Sequence, residues 1–264
     1  MNKGVFMSTE RPVAFITGAS RGIGKRLAID YAKAGYDLVL VARSTANAPT
    51  KLPGTVDATA DLARANGAKV LSIGANLNSP DECEQSAKAA LVEFGKVDVL
   101  INNAAIAPIG STLDAGMKLW RLALEINVNA PLILMQELCP GMIERGYGRV
   151  INISSGASVN PEMGRVSYTT TKRALEGMSE ALASELAGTG VSVNAIRLDL
   201  SVWSEGYVFT LGDRAKDMDF EDPIVMTDAC LWITNNTNDY TGNVVTIAEL
   251  RELGAVRGKT HYSA

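Results

Sequence analysis

The stretch Val13-Ala14-Phe15-Ile16-Thr17-Gly18-Ala19-Ser20-Arg21-Gly22-Ile23-Gly24 decides the fold. A short run of strand-forming residues enters a turn bearing three glycines, and a helical stripe of Ile23, Leu27, Ala28 and Tyr31 leaves it. Glycine permits the tight turn and lets backbone N–H groups approach a pyrophosphate at the positive end of a helix. Glycines kept for packing alone would make a turn, yet these open the first helix of a strand–helix–strand unit.

Working outward, runs at 38–41, 70–73, 97–101, 150–153 and 191–196 read as further strands, and 243–247 as a seventh after a helix over 223–234. Several are apolar almost throughout, as when helices cover both faces of a parallel sheet. Leu175, Met178, Leu182 and Leu186 repeat the helical spacing, and Gly35, Gly67 and Gly95 stand where helices should stop. The alternation specifies an α/β fold, a doubly wound parallel sheet of about seven strands with helices on both faces. No linker, charge run or repeat divides the chain, so residues 1–264 read as a single dinucleotide-binding and catalytic domain. A flexible N-terminus at 1–11 and a C-terminal tail at 252–264 flank it. Two segments read as long and irregular, 44–55 and 199–221, the second within a candidate substrate loop at 199–222. Both leave the carboxyl ends of strands, where ligands bind in open α/β sheets.

Composition excludes other classes. Lys and Arg number 25 against 29 Asp and Glu, a net charge of −4, which gives no footprint for nucleic acid or an anionic membrane. Apolar residues make up 47%, enough for a sizeable core. No apolar run approaches the roughly 18 residues that span a bilayer, and the N-terminus lacks the apolar region and cleavage site of a signal peptide. The expectation is a soluble, cytoplasmic protein. The single histidine, His261, lies in the tail, so a Ser-His-Asp hydrolase would need that tail to fold back into the site. Cys83, Cys139 and Cys230 are odd in number and far apart, which suits neither a disulfide framework nor a metal site. They read as small buried hydrophobes. An acid or base is then expected from Tyr, Lys, Asp or Glu.

The glycine spacing Thr17-Gly18-x-x-x-Gly22-x-Gly24 resembles that of the short-chain dehydrogenase/reductase family. Further motifs follow in the family's order: Asn102-Asn103-Ala104-Ala105, Asn127 within Glu-Ile-Asn-Val-Asn, Ser154-Ser155, and Tyr168-Thr169-Thr170-Thr171-Lys172. The resemblance covers roughly Val13 to Ile247 and implies a Rossmann-type domain, commonly assembled as a homotetramer or homodimer through the helices before Asn127 and around Tyr168. It assigns catalysis to Asn127, Ser155, Tyr168 and Lys172. Tyr168 and Lys172, four apart on a helix, share a face. A phenol ordinarily titrates near 10, and a neighbouring ammonium should bring it toward neutrality, letting Tyr168 exchange a proton with a carbonyl or alcohol oxygen. Ser155 would stabilise charge on that oxygen, whereas Ser154 reads as satisfying loop backbone. Lys172 would also hold the nicotinamide ribose, and Asn127, preferred over Asn129, would position a carbonyl and a water relaying protons to Lys172.

For the nucleotide, the resemblance assigns Thr17, Gly18, Ser20, Arg21, Gly22, Ile23 and Gly24 in the turn, and Asn76, Leu77, Asn103 and Ala104 beyond it, together with Tyr168 and Lys172. The acid that commonly marks NAD use is replaced by Ala42, followed by Arg43. Arg43, aided by Arg21, would attract a 2′-phosphate, which favours NADP(H), with NAD(H) the alternative. The chain departs from the pattern at Asn76, in place of Asp, and at Leu198-Asp199, in place of Pro-Gly beside the nicotinamide. Ala248-Glu249-Leu250-Arg251 replaces a Gly-Gly ending, and the 51–55 insertion resembles a hydroxysteroid-dehydrogenase-like branch. The stretch 200–209 reads as an apolar lid or a subunit contact. The expected function is an NADP(H)-dependent oxidoreductase interconverting a small-molecule carbonyl and a secondary alcohol. The rivals are a non-catalytic nucleotide sensor, which would not require Ser155, Tyr168 and Lys172 together, and an epimerase or dehydratase, which would need further acid and base groups.

Overall fold

The computed structural model describes residues 10–114 and 116–262. Seven strands form one all-parallel sheet: β1 (Val13–Thr17), β2 (Asp37–Ala42), β3 (Val70–Gly74), β4 (Val99–Asn102), β5 (Gly148–Ser155), β6 (Val191–Leu198) and β7 (Val244–Thr246). Their spatial order is β3-β2-β1-β4-β5-β6-β7, so the winding reverses beside β1 and opens a crevice between β1 and β4.

Alternation along β1 feeds two cores. Ala14 and Ile16 join Leu27 and Tyr31 of α1 (Gly22–Lys33), Val56 and Ala60 of α2 (Val56–Arg64), and residues of α8 (Ile224–Thr234) and α9 (Ile247–Glu252). Val13 and Phe15 face the other way, against Ala87 of α3 (Pro80–Phe94), Leu134 of α5 (Ala130–Glu144) and Ala183 of α6 (Val166–Glu185). The helix ends follow local chemistry. Ser79 caps α3 by accepting from the Glu82 N–H, Pro80 sits in its first turn, and Gly95 closes it with φ of 71°.

Several expectations change. Residues 1–9 of the proposed flexible N-terminus lie outside the described residues. Arg11 is not flexible: it donates to the Gly67, Ala32 and Tyr36 carbonyls and pairs with Asp37. The 199–221 segment is not irregular. Ser204 accepts from the Tyr207 N–H and starts α7 (Glu205–Leu211), and a 3-10 helix covers Gly212–Asp217. The tail folds back upon this segment. Tyr262 donates its N–H to the Phe220 carbonyl, and its ring stacks on Trp203 with centroids 4.1 Å apart. Glu221, beneath, takes Arg251 and Thr260. His261 stays at the surface beside Asp219. All three cysteines are buried.

Candidate functional site

A cleft of about 900 Å³ opens at the carboxyl ends of the strands. Its floor is the glycine-rich turn. A Cβ on Gly18 would come within 2.9 Å of the Ala104 Cα, and one on Gly22 within 2.6 Å of the Ser204 Cβ. A Cβ on Gly24 would press on the Gly18 carbonyl. Only glycine leaves this turn close enough to its neighbours and bare toward the cleft. Thr17 is buried, and its Oγ1 accepts from the Asn103 and Ala104 N–H groups at 3.0 Å. The Asn103 amide donates back to the Thr17 carbonyl at 2.8 Å. The turn and the strand-β4 segment are thereby one unit.

Ser20, Ile23, Leu77 and Arg43 line the cleft. Arg43 is exposed there and has no hydrogen-bond or ion-pair partner among the described residues. Arg21 is differently engaged. Its Nε donates to the Pro53 carbonyl at 2.8 Å, and its Nη2 reaches Thr50 Oγ1 and the Leu52 and Gly54 carbonyls. Its fork therefore holds the 44–55 loop rather than standing free beside Arg43. Burial lowers the Arg21 pKa, Glu205 opposes that, and the nearby Arg43 charge lowers it further. Glu205 itself brings a carboxylate oxygen beside Gly22, buried and without a hydrogen-bond partner among the described residues. Asn76 turns inward on its own loop, its Oδ1 accepting from the Asn78 N–H while its backbone N–H goes to Glu82.

The substituted Leu198-Asp199 pair has a structural account. Asp199 accepts from the Ile247 N–H at 3.0 Å and from the Ala248 N–H, so it ties the first turn of α9, which Thr246 caps, to the wall of the cleft. Asn127 lies in a π-helical turn, Glu125–Asn129, that links α4 (Met117–Leu124) to α5. Its amide grips Ile106 from both sides, accepting from the N–H at 2.9 Å and donating to the carbonyl at 2.8 Å, and donates to Thr171.

Ser155, Tyr168 and Lys172 come together on the same cleft wall. The electrostatics differ from the expectation. Burial pushes the Tyr168 phenol above its ordinary 10, and the groups that pull it back are Ser155 and Arg165 rather than Lys172. Lys172 lies 5.7 Å from the tyrosine ring centroid and donates to the Ile153 carbonyl at 2.6 Å. Burial lowers its own pKa to about 8, against the pull of Glu176. Ser154 differs from the expectation that it satisfies loop backbone. Ser155 Oγ accepts from the Ala157 N–H, whereas Ser154 donates to Glu176 at 2.7 Å.

Glu176 is the residue that sequence reasoning missed. It is buried, and besides Ser154 it takes Ser158 at 2.6 Å and both Nε and Nη2 of Arg197 at 3.0 Å. Burial raises its pKa, but the bonds from Arg197, Ser158 and Ser154 outweigh that and hold it below the carboxylate range. The available signal was its place four residues beyond Lys172 on one helix face.

A bare glycine turn at a helix N-terminus, a guanidinium beyond β2 unpaired among the described residues, and a wall of half-buried Tyr168 and Ser155 with buried Lys172 fit an anionic dinucleotide and define a dinucleotide-cleft α/β domain. The family model for short chain dehydrogenases matches residues 12–200. The chain belongs to that family. Over 260 residues it is 31% identical to hydroxysteroid dehydrogenase-like protein 2 of Xenopus laevis, covering 94% of this chain and 60% of that protein. The chain spans 56% of the length of the Xenopus tropicalis counterpart. Over 186 residues it is 34% identical to a 3-oxoacyl-[acyl-carrier-protein] reductase of Synechocystis sp., covering 70% of this chain and 72% of that one. Among solved structures, a metagenomic short-chain oxidoreductase in complex with NADP superposes with TM-score 0.74 at 26% identity, over 89% of this chain and 96% of that one. A Beutenbergia cavernae protein described as an NAD(P)-dependent gluconate 5-dehydrogenase superposes with TM-score 0.80 at 26% identity, over 91% of this chain and 96% of that one. No described helix is long and apolar enough to cross a membrane.

Proposed function

We propose that the chain is an NADP(H)-dependent oxidoreductase that interconverts a carbonyl and a secondary alcohol, with Tyr168 as general acid and base. The observation that carries the reading is the convergence of Tyr168, Ser155 and Lys172 on one wall of the cleft that the glycine turn floors. Thr17, Gly18, Ser20, Gly22, Ile23 and Gly24 would hold the nucleotide's diphosphate end, and Asn76, Leu77, Asn103 and Ala104 its adenosine and ribose side. Arg43 would meet the 2′-phosphate. When bound, the nicotinamide supplies or accepts the hydride.

The remaining steps belong to side chains. Ser155 donates to the substrate oxygen and stabilises charge developing there. Tyr168 passes its hydroxyl proton to that oxygen in reduction and recovers one in oxidation. Its raised pKa keeps the phenol protonated at neutral pH, which suits the reducing direction. Lys172, its pKa lowered by burial to about 8, would resupply that proton and hold ribose hydroxyls. Asn127 fixes the Ile106 backbone at the cleft edge. The same reading takes the protein as cytoplasmic and as a homodimer or homotetramer. The assembly is supported by exposed Met117 and Leu119 on α4 and Val166 on α6.

The test is a panel of ketones and secondary alcohols, with nicotinamide absorbance followed for both cofactors. Consumption of NADPH by a ketone is the expected result. Tight nucleotide binding with no member turned over would favour the sensor.

A further inference from the structure

Arg165 opens α6, three residues before Tyr168, and lines the same cleft. It is only 7% exposed, an unusual degree of burial for a charged side chain without full pairing. Its Nε is tied to Glu162 at 2.8 Å, and that carboxylate faces solvent, its side chain 61% exposed. Among the described residues no carboxylate other than Glu162 pairs with Arg165. The guanidinium carbon lies 6.0 Å from the Tyr168 ring centroid. The charge is near enough to the phenol to favour its ionised form.

The geometry points to Arg165 as the anchor for a carboxylate on the substrate, which makes the substrate class oxo acids and their hydroxy acid partners. The assignment rests on the oxidoreductase reading above. A carboxylate has two acceptor oxygens in a plane, matching the two terminal nitrogens that remain once the solvent-facing Glu162 holds the Nε. With the guanidinium 6.0 Å from the Tyr168 ring, the reacting carbon would lie a few atoms from the carboxylate, as in 2-oxo and 3-hydroxy acids. In reduction the carbonyl carbon gains a hydride, supplied by NADPH, and its oxygen gains a proton from Tyr168. The carboxylate is unchanged, and the products are the hydroxy acid and NADP⁺.

The experiment compares 2-oxo acids with NADPH, and 3-hydroxy acids with NADP⁺, each of four to ten carbons and each against its methyl ester. Two quantities are read: kcat/KM, and the dissociation constant from quenching of bound-NADPH fluorescence. The wild type should favour acid over ester at least about tenfold in both, the size of a lost charge-assisted contact. In Arg165→Met the acid-to-ester ratio should fall to about one, and Arg165→Lys should keep part of it, since the charge survives without the fork. Equal handling of acid and ester by the wild type overturns the assignment and needs no variant to fold. A ratio that survives in Arg165→Met also overturns it, because Arg165 would then act through Tyr168. Acid binding that depends on Arg165 without turnover of any compound would uphold the anchor while the oxidoreductase reading fails. Turnover of esters and acids alike would do the reverse.

Discussion

At the scale of single residues, Arg43 is a cation with nothing in the described protein to neutralise it, standing beside a second guanidinium that is already committed. Replacing it with alanine should remove one charge-assisted contact, of roughly 1.5–3 kcal/mol, and weaken NADPH about ten- to a hundredfold. NADH, lacking the phosphate, should change little. The double variant Ala42→Asp with Arg43→Ala should reverse the preference. Dissociation constants at fixed ionic strength decide the matter, and equal losses for both cofactors would mean that Arg43 supports its loop. Glu176 acts one step back from the chemistry, through Ser154, Ser158, Arg197 and the field at Lys172. Glu176→Gln should cost about 1.5–3 kcal/mol in a denaturant titration. It should also shift the Lys172-dependent limb of the pH profile toward lower pH, with Glu176→Asp restoring part of it. An unmoved profile would reduce Glu176 to a structural role. That Tyr168 and Lys172 share one helix was legible from their spacing, but the bond from Ser154 to Glu176 was not, because it joins residues 22 apart in sequence.

At the scale of elements, α6 is preceded at its N-cap by Arg165 and carries Tyr168, Lys172 and Glu176 on successive turns. Its buried lysine makes stability depend on pH. Lys172 ordinarily titrates at 10.5 and in the fold at about 8, so the unfolded chain binds more protons between those values. The group's contribution to stability therefore rises with pH across that window and is smallest below about 8. Wild type should gain stability relative to Lys172→Met as the pH is raised from 7.5 to 10 in parallel unfolding titrations. A constant difference would contradict the burial of the charge. Strands were the most readable elements because parallel strands buried on both faces are nearly all apolar. α7 was hidden because it is seven residues long with no buried stripe, and its start depends on the Ser204 cap. The π-helical turn at Asn127 was equally hidden, since the clamp on Ile106 joins segments 21 residues apart.

At the scale of the molecule, a doubly wound parallel sheet of about seven strands followed from alternation, whereas the strand order that opens the crevice beside β1 is set by the folded sheet. The tail's return onto the substrate segment did not, because the Trp203–Tyr262 stack and the Glu221 cluster join residues tens of positions apart. Apolar side chains left exposed on α4 and α6 should be covered by a second copy. Light scattering at micromolar concentration should give a dimer or tetramer, and a monomer alone would count against that assembly. The central claim is that Tyr168 moves the proton. Its most direct test is steady-state turnover of Tyr168→Phe on the best substrate of the panel, measured beside NADPH affinity. The variant removes one hydroxyl and little volume, so turnover should fall at least about a hundredfold while NADPH binds as before. Turnover retained at the wild-type level would contradict the claim.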